Sequence, residues 1–173
     1  MFVKLLGSSL IIFTGAYIGF SLAKRCSDRP ANLRQILSCI VALKSYMNYA
    51  SMPLAESLVQ CSSGTGKNVS GFFLTVAGLL KKNYLMQPQE AIEKTLVDYR
   101  YKLALVQEDC DLLILLGCNL GHMDKTEQDK YLLMVEQRLE ILEREATVDR
   151  DKNCKMYRYL GVCGSLMVVL LLI

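Results

Sequence analysis

Seven cysteines and one histidine are the side chains of this sequence with the richest chemistry. The cysteines stand at positions 26, 39, 61, 110, 118, 154 and 163, and the histidine is His122. A zinc site or a disulfide framework needs cysteines at short, repeated spacings, and no two of these form a C-x-x-C pair. Several fall on apolar helical stripes, where a free thiol packs as a small hydrophobe and suits a reducing compartment. We therefore predict no metal site and no cofactor.

Catalytic motifs are missing from the sequence as well. It contains no G-x-S-x-G and no H-E-x-x-H pattern, and a single histidine offers little for acid–base chemistry. The run Gly64-Thr65-Gly66-Lys67 resembles part of a phosphate-binding loop, but Cys61 stands where the first glycine belongs and Asn68 replaces the hydroxyl residue,. We predict that the chain is not an enzyme and has no catalytic residue. For His122 we expect hydrogen bonds to carbonyls at a helix end.

The elements that would position these side chains are all helical. Apolar residues recur with a 3.6-residue period, interrupted by Pro and Gly, and no strand-like alternation is present. The predicted helices span about 30–49, 53–61, 69–83, 88–99 and 108–120, and a last one runs from Asp124 without a break. Two buried stripes are predicted: Leu33, Ile36, Leu37, Ile40, Val41 and Leu43 in the first helix, and Leu132, Val135, Leu139, Leu142 and Ala146 in the last. The fold class predicted is an all-α, antiparallel helical bundle.

Both ends of the chain are strongly apolar. Residues 5–23 carry no charge, and 19 helical residues reach about 28 Å, close to the hydrocarbon thickness of a bilayer,. Residues 159–173 are also uncharged and are predicted to form a short tail anchor,. We expect membrane helices over 2–24 and 159–173, flanking a helical bundle over 25–158. The alternative that the first segment is a cleaved signal peptide, ending at Ser21-Leu22-Ala23, stays open.

The charges predict an orientation and a kind of partner. Eight basic residues adjoin the two apolar ends on the side of the bundle, which places the bundle in the cytoplasm,. Residues 35–149 hold 11 basic and 15 acidic side chains, a net charge of −4. This distribution argues against nucleic-acid binding, which needs basic groups on the domain itself. The basic collar between bundle and apolar ends is expected to meet anionic lipid.

Small residues are spaced for helix packing in both apolar ends. Gly15 and Gly19 form G-x-x-x-G, and Gly161 and Ser165 form a similar small-x-x-x-small pair. Such pairs let membrane helices approach closely, so we predict that the two patches pack together or against a partner's helix.

The stretch from Leu116 to Leu132 combines a helix end, a tight turn and a new helix start. Gly117 allows close helix contact, and Gly121 suits the left-handed conformation at a helix C-terminus,. Asp124 is predicted to cap the last helix, and Gln128 lies one turn into it,.

This stretch resembles the stage III sporulation protein AB family of endospore-forming bacteria. The family pattern is Phe-Gly, two residues, Leu-Gly, two residues, Asp, three residues, Gln, three residues, Leu, and the sequence departs from it only at Leu116. Residues 27–34 resemble the family's Glu-Arg-Pro, two residues, Leu-Arg segment. Residues 49–54 resemble its Tyr-Gly-x-Thr-Pro-Leu turn, with Met52 in place of Thr.

The resemblance implies a membrane scaffold of the channel between mother cell and forespore. It implies a place in the mother-cell membrane, a bundle similar to the cytoplasmic domains of type II secretion F proteins, and partners among the other channel components. By that analogy the main partner is a cytoplasmic ATPase, stage III sporulation protein AA. The candidate site residues Gly117, Leu120, Gly121, Asp124 and Gln128 admit both a structural and a docking role.

Two alternatives to this function stay open. One is a membrane organiser that binds anionic lipid through its collar, at Lys24, Arg25, Arg150, Lys152 and Lys155,. The other is an enzyme, which would need a pocket joining His122 to an acid and a thiol.

Overall fold

The computed structural model describes residues 2–48, 50, 52–120 and 125–172, and toward both chain ends it describes the backbone and a few side chains. These residues contain six α-helices and no strand, so the predicted all-α class is confirmed. The helices are α1 (Phe2–Asn48), α2 (Leu54–Cys61), α3 (Lys67–Lys82), α4 (Pro88–Tyr99), α5 (Gln107–Asn119) and α6 (Lys125–Leu172).

The chain divides into two compact units. Unit 1 comprises residues 1–30 and 145–173, which are the two chain ends, and unit 2 comprises residues 31–144. Helices α2 to α5 lie wholly within unit 2, together with parts of α1 and α6.

Pro30 lies inside α1, and the prediction that a helix starts there is wrong. The φ angle that proline imposes is compatible with a helix, and its missing N–H removes one intrahelical hydrogen bond. Pro30 is buried, as are Leu33 and Ile36 after it. Burial of this stretch offsets the lost bond, so the helix continues through the proline.

The core of unit 2 contains one stripe from α1 and one from α6. In α1, Leu33, Ile36, Ile40 and Leu43 are buried, with Cys39 beside them. Two members of the predicted stripe are not buried: Leu37 is half-buried and Val41 is exposed. Each follows a buried residue directly, and one residue is a rotation of about 100° away from the core.

The predicted stripe of α6 is confirmed in full. Leu132, Val135, Leu139, Leu142 and Ala146 are all buried, at alternating spacings of three and four residues. The prediction of one unbroken helix is also confirmed, since α6 contains 48 residues. Within unit 2, α6 therefore contributes its apolar edge from Leu132 to Leu142, and Ala146 continues the stripe in unit 1,.

Hydrogen bonds identify which loops share an end of unit 2. The Asn32 side chain donates to the carbonyl of Leu103 at 2.9 Å, and the N–H of Gly66 donates to Gln35 Oε1 at 2.7 Å. The start of α3 and the segment before α5 therefore lie beside the start of α1 in unit 2. We call this the Asn32 end. About 24 Å further along α1 lies Asn48.

Helices α3 and α5 both run away from the Asn32 end, and α4 and α6 begin at the opposite end. Loop 83–87 and Leu120 therefore lie at that opposite end, together with Asn48 and the start of α6. We call it the Asn48 end.

Candidate functional site

The candidate site lies at the Asn48 end of unit 2, where the stretch 116–132 turns from α5 to α6. Leu116, Leu120 and Leu132 are fully buried, and Gln128 is only 7% exposed. Gly121, Asp124 and His122 lie outside the described residues. These described residues of the family pattern therefore point into the bundle, whereas Cys118, Glu127 and Lys130 between them are exposed.

At Gly117 the backbones of α4 and α5 lie close together. A Cβ at this position would lie 2.7 Å from the Cα of Gln89 and 2.8 Å from its backbone nitrogen. Carbon atoms do not approach backbone so closely, and the neighbour is main chain that cannot swing away. Glycine at 117 is what allows the two helices to pack at this distance.

An apolar pocket joins the two stretches that carry the family resemblance at this end. Leu54 and Leu58 contribute from α2, Pro88 from α4, and Leu116 and Leu120 from the 116–132 stretch. All of its lining side chains are apolar, and its free volume of about 10 Å³ leaves room for roughly one water,. The pocket lies where α2, α3, α4 and α5 pack together, and it offers no polar group to orient a ligand,.

A polar cluster connects the end of α1 to the first turn of α6. The Asn48 amide donates to Asp129 Oδ1 at 2.8 Å, and Lys44 Nζ lies 3.5 Å from the same oxygen. Asp129 is about half exposed, so its ion pair with Lys44 adds little stability,. The hydrogen bond from the Asn48 side chain fixes where α6 begins relative to α1.

Gln128, next to Asp129, is the buried polar group that the packing leaves unsatisfied. Its Nε2 has no hydrogen-bond partner within the part of the chain that the structure describes. A buried donor in this state costs about 1–3 kcal/mol relative to a satisfied one. Contacts among the described residues alone therefore do not account for this amide.

Tyr131 ties α6 to α5 one turn further on. Its hydroxyl donates to the carbonyl oxygen of Leu115. Burial raises the pKa of the Tyr131 hydroxyl, because a charged phenolate is poorly solvated there,. The hydroxyl is thus held in its neutral, donating form.

A buried carboxylate starts α5 at the Asn32 end. Asp109 accepts a hydrogen bond from the N–H of Val106 at 3.0 Å. This satisfies one of the free donors at a helix N-terminus, and the carboxylate also suits the positive end of the helix dipole.

The described cysteines behave mainly as core residues. Cys39, Cys61 and Cys110 are buried free thiols, which confirms their predicted role, whereas Cys118 is exposed. Cys39 Sγ donates to the carbonyl of Cys61 at 3.2 Å. A separate hydrogen bond between the two thiol groups lowers the pKa of the Cys39 thiol and raises the pKa of the Cys61 thiol. The side chains of the other three cysteines lie outside the description.

The third stretch with family resemblance, residues 27–34, leads to the Asn32 end. Arg34 pairs with Glu143 of α6, and the Arg34 side chain is largely exposed. Asn32 holds the carbonyl of Leu103, as described above. These contacts fix α1 against the α4–α5 connection and against α6, so this stretch has a clear positioning role.

The predicted features of the apolar ends are described only in part. Gly19 is buried, while Gly15, Gly161 and Ser165 lie in α1 and α6 with surroundings outside the description. Within the residues that the structure describes, no helix has the length and apolarity needed to cross a bilayer. These same residues hold no group of three metal-ligating side chains.

The basic collar shows mixed environments. Lys24 and Lys152 are exposed, whereas Arg150 pairs with Asp151 at 2.9 Å. The side chains of Arg25 and Lys155 are not among those described. Part of the collar charge is thus neutralised within the chain.

Tyr84 and Leu85, in the loop between α3 and α4, are not among the predicted site residues. They are 92% and 94% exposed, and the preceding Lys81 and Lys82 are exposed too. One sequence feature indicates their exposure. They stand between Asn83 and Pro88, two residues typical of loops, and an apolar pair in a loop does not belong to the buried stripe of a helix.

Comparison with known proteins gives one consistent result. The model of the family "Stage III sporulation protein AB" matches residues 4–173. Stage III sporulation protein AB of Bacillus subtilis (strain 168) is 29% identical over 170 residues, which cover 98% of this chain and 99% of that protein.

A solved structure of a stage III sporulation protein AB also resembles the chain. It superimposes with a TM-score of 0.66 and 24% sequence identity, over 72% of this chain and 98% of that one. At this identity the likeness establishes the fold alone, and it supports the helical arrangement described above.

Proposed function

Because this chain belongs to the stage III sporulation protein AB family, we propose that it is a scaffold of the mother cell–forespore channel that docks a cytoplasmic ATPase. Family membership makes it a sporulation protein. The channel, the ATPase and the place in the membrane are our proposal. The partner we propose is the ATPase stage III sporulation protein AA.

The observation that carries this proposal is the convergence of two family-like stretches on one end of unit 2. Residues 49–54 lead into α2, and residues 116–132 connect α5 to α6. Leu54 of the first and Leu116 and Leu120 of the second line the same apolar pocket. Two segments that are distant in the sequence thus form the Asn48 end together, and we propose that the ATPase docks at this end.

We propose that the chain works by binding and not by catalysis. The pocket at the Asn48 end is lined by apolar side chains and contains no titratable group. Chemistry on a substrate needs a titratable group, a nucleophile or a metal in a cleft. A binding role needs only an ordered surface, which the rigid framework around Gly117 provides.

We further propose that residues 2–24 and 159–173 hold the chain in the mother-cell membrane, with unit 2 in the cytoplasm. Support comes from the uncharged run over residues 5–23 and from the basic residues beside both apolar ends,. Both ends also belong to unit 1. Alkaline carbonate extraction of sporulating cells tests this placement. The chain should stay in the membrane pellet, and its release into the supernatant would refute the proposal.

Co-purification tests the docking proposal. The full chain, tagged and purified in mild detergent, is mixed with the purified ATPase in the presence of ATP, ADP or no nucleotide. We expect stoichiometric retention of the ATPase in at least one nucleotide state. An unrelated tagged membrane protein in the same detergent serves as control. Equal retention on the control, or none on the chain in any state, would end the proposal.

A further inference from the structure

The loop between α3 and α4 carries the most exposed pair of large apolar side chains described in unit 2. Tyr84 and Leu85 are 92% and 94% exposed, and the next is Val97 at 77%. Single exposed apolar residues are ordinary on protein surfaces. Two adjacent ones, each almost entirely in solvent, form a local patch that only a partner can cover.

The loop is held in shape by its own hydrogen bonds. The N–H of Asn83 donates to the carbonyl of Leu79 at 3.0 Å, which closes the last turn of α3. Asn83 in turn accepts from two N–H groups: its carbonyl from Met86 at 3.0 Å, and its side-chain oxygen from Leu85 at 3.3 Å. The pair is therefore presented by an ordered turn, so little conformational entropy is lost when it binds.

Two lysines adjoin this pair. Lys81 and Lys82 form the last turn of α3 and are exposed. Neither has a carboxylate partner among the described residues. Together with Tyr84 and Leu85 they form a cationic, apolar projection, which we call the docking tip.

The docking tip lies at the Asn48 end of unit 2. Pro88, which follows the loop and starts α4, lines the apolar pocket with Leu116 and Leu120. The described residues of the family pattern at this end are buried, so a partner that docks there contacts exposed side chains beside them; those pattern residues are Leu116, Gly117, Leu120, Gln128 and Leu132. The docking tip supplies exposed ones.

We infer that the docking tip is the contact through which unit 2 binds its protein partner, and that the partner offers an apolar recess edged by carboxylates. This inference rests on the proposed function and names its surface. Tyr84 and Leu85 would fill the recess, and the two lysines would pair with the acids around it. Tyrosine is enriched among the residues that dominate protein interfaces.

The charges favour a protein over an anionic membrane as the occupant. Glu93 is exposed on α4 within two turns of the loop, whereas Glu90 is paired with Lys94 at 2.8 Å. Residues 35–149 carry a net charge of −4, so an anionic lipid surface would repel Glu93 together with the bundle as a whole,. A protein surface can place its acids opposite Lys81 and Lys82 alone.

Affinity measurements on the full chain test the inference. Binding of immobilised wild-type chain to the ATPase is compared with that of a Tyr84→Ser, Leu85→Ser double variant, which should bind about tenfold more weakly or worse. A Lys81→Gln, Lys82→Gln variant should also bind more weakly and show a flatter salt dependence. Because all four side chains are exposed, the variants should melt at the wild-type temperature.

Two matched controls separate the docking tip from general surface effects. Val97→Ser removes an exposed apolar side chain from α4, and Lys67→Gln removes an exposed lysine from the opposite end of α3. Both should keep wild-type affinity. Wild-type affinity of the docking-tip variants would overturn the inference and leave the proposed function standing. Failure of the wild-type chain to bind would overturn both.

A vesicle assay covers the membrane alternative. Wild type and the Tyr84→Ser, Leu85→Ser variant are first reconstituted into phosphatidylcholine vesicles, which occupies their apolar ends. They are then mixed with separate vesicles that contain phosphatidylglycerol, and equal capture of these second vesicles by the two proteins supports the inference. Loss of vesicle binding in the variant, with unchanged affinity for the ATPase, would reassign the docking tip to lipid and overturn the inference.

Discussion

The backbone of Gln89 lies against Gly117 so closely that a methyl group on Gly117 would stand 2.7 Å from the Gln89 Cα. This contact sets the distance between α4 and α5. It thereby sets the width of the apolar pocket between these helices and the place where the loop before α4 begins. The lack of a side chain at Gly117 thus determines how the helices at the Asn48 end are arranged.

Replacing Gly117 with alanine should therefore destabilise the chain by about 1–3 kcal/mol, as overpacking against a fixed backbone does. Gly78 in α3 is the matched control, since a Cβ there meets nothing within 4 Å. Gly78→Ala should stabilise by about 0.5–1 kcal/mol, because alanine loses less entropy than glycine in a helix. Thermal unfolding followed by circular dichroism measures both, and shifts of the same sign would contradict the packing described.

Gln128 offers a test that separates a structural from a docking role. Since its buried Nε2 has no partner among the described residues, Gln128→Met should leave the unfolding temperature unchanged or raise it,. If Gln128 serves only the fold, the variant should also keep full affinity for the ATPase. A loss of affinity without a loss of stability would assign Gln128 to the interface. A large loss of stability would show that its amide is satisfied in solution.

Tyr131 should give unit 2 a measurable pH dependence in the alkaline range. Burial raises the pKa of its hydroxyl above the unfolded value of about 10, so the folded state holds this proton more tightly,. Its contribution is fully present below about pH 10 and is lost as the pH rises through the folded pKa.

The measurement is the unfolding temperature between about pH 8 and about pH 11, for wild type and Tyr131→Phe. The variant should be less stable at the lower pH, because the bond to Leu115 is lost, and its stability should fall less steeply above pH 10. Parallel curves would show that this hydroxyl titrates as it does in the unfolded chain.

Local patterns predicted most of the helices of unit 2. Pro88 was placed correctly at the start of α4, and the absence of Pro and Gly predicted the unbroken helix after residue 124. The spacing of Leu132, Val135, Leu139 and Leu142 gave the buried edge of α6 without error. In these cases local sequence and tertiary packing favour the same answer.

The errors arose where packing overrides a local rule. Pro30 suggests a helix start, yet burial around it sustains a continuous α1. Val41 is apolar but lies one residue off the stripe that faces the core. The position of Tyr84 and Leu85 in a loop indicates exposure only weakly, because its extent depends on which helices pack beside that loop,.

The most direct test of the account is a crosslinking map of the bound complex. A photoreactive benzophenone side chain is placed at position 85 in the docking tip or at position 97 on α4 of the full chain, and each protein is irradiated with the ATPase. We predict a crosslink from position 85 to an acidic, apolar surface of the ATPase, and none from position 97. Crosslinks from position 97 alone, or equal crosslinks from both, would contradict docking through the Asn48 end.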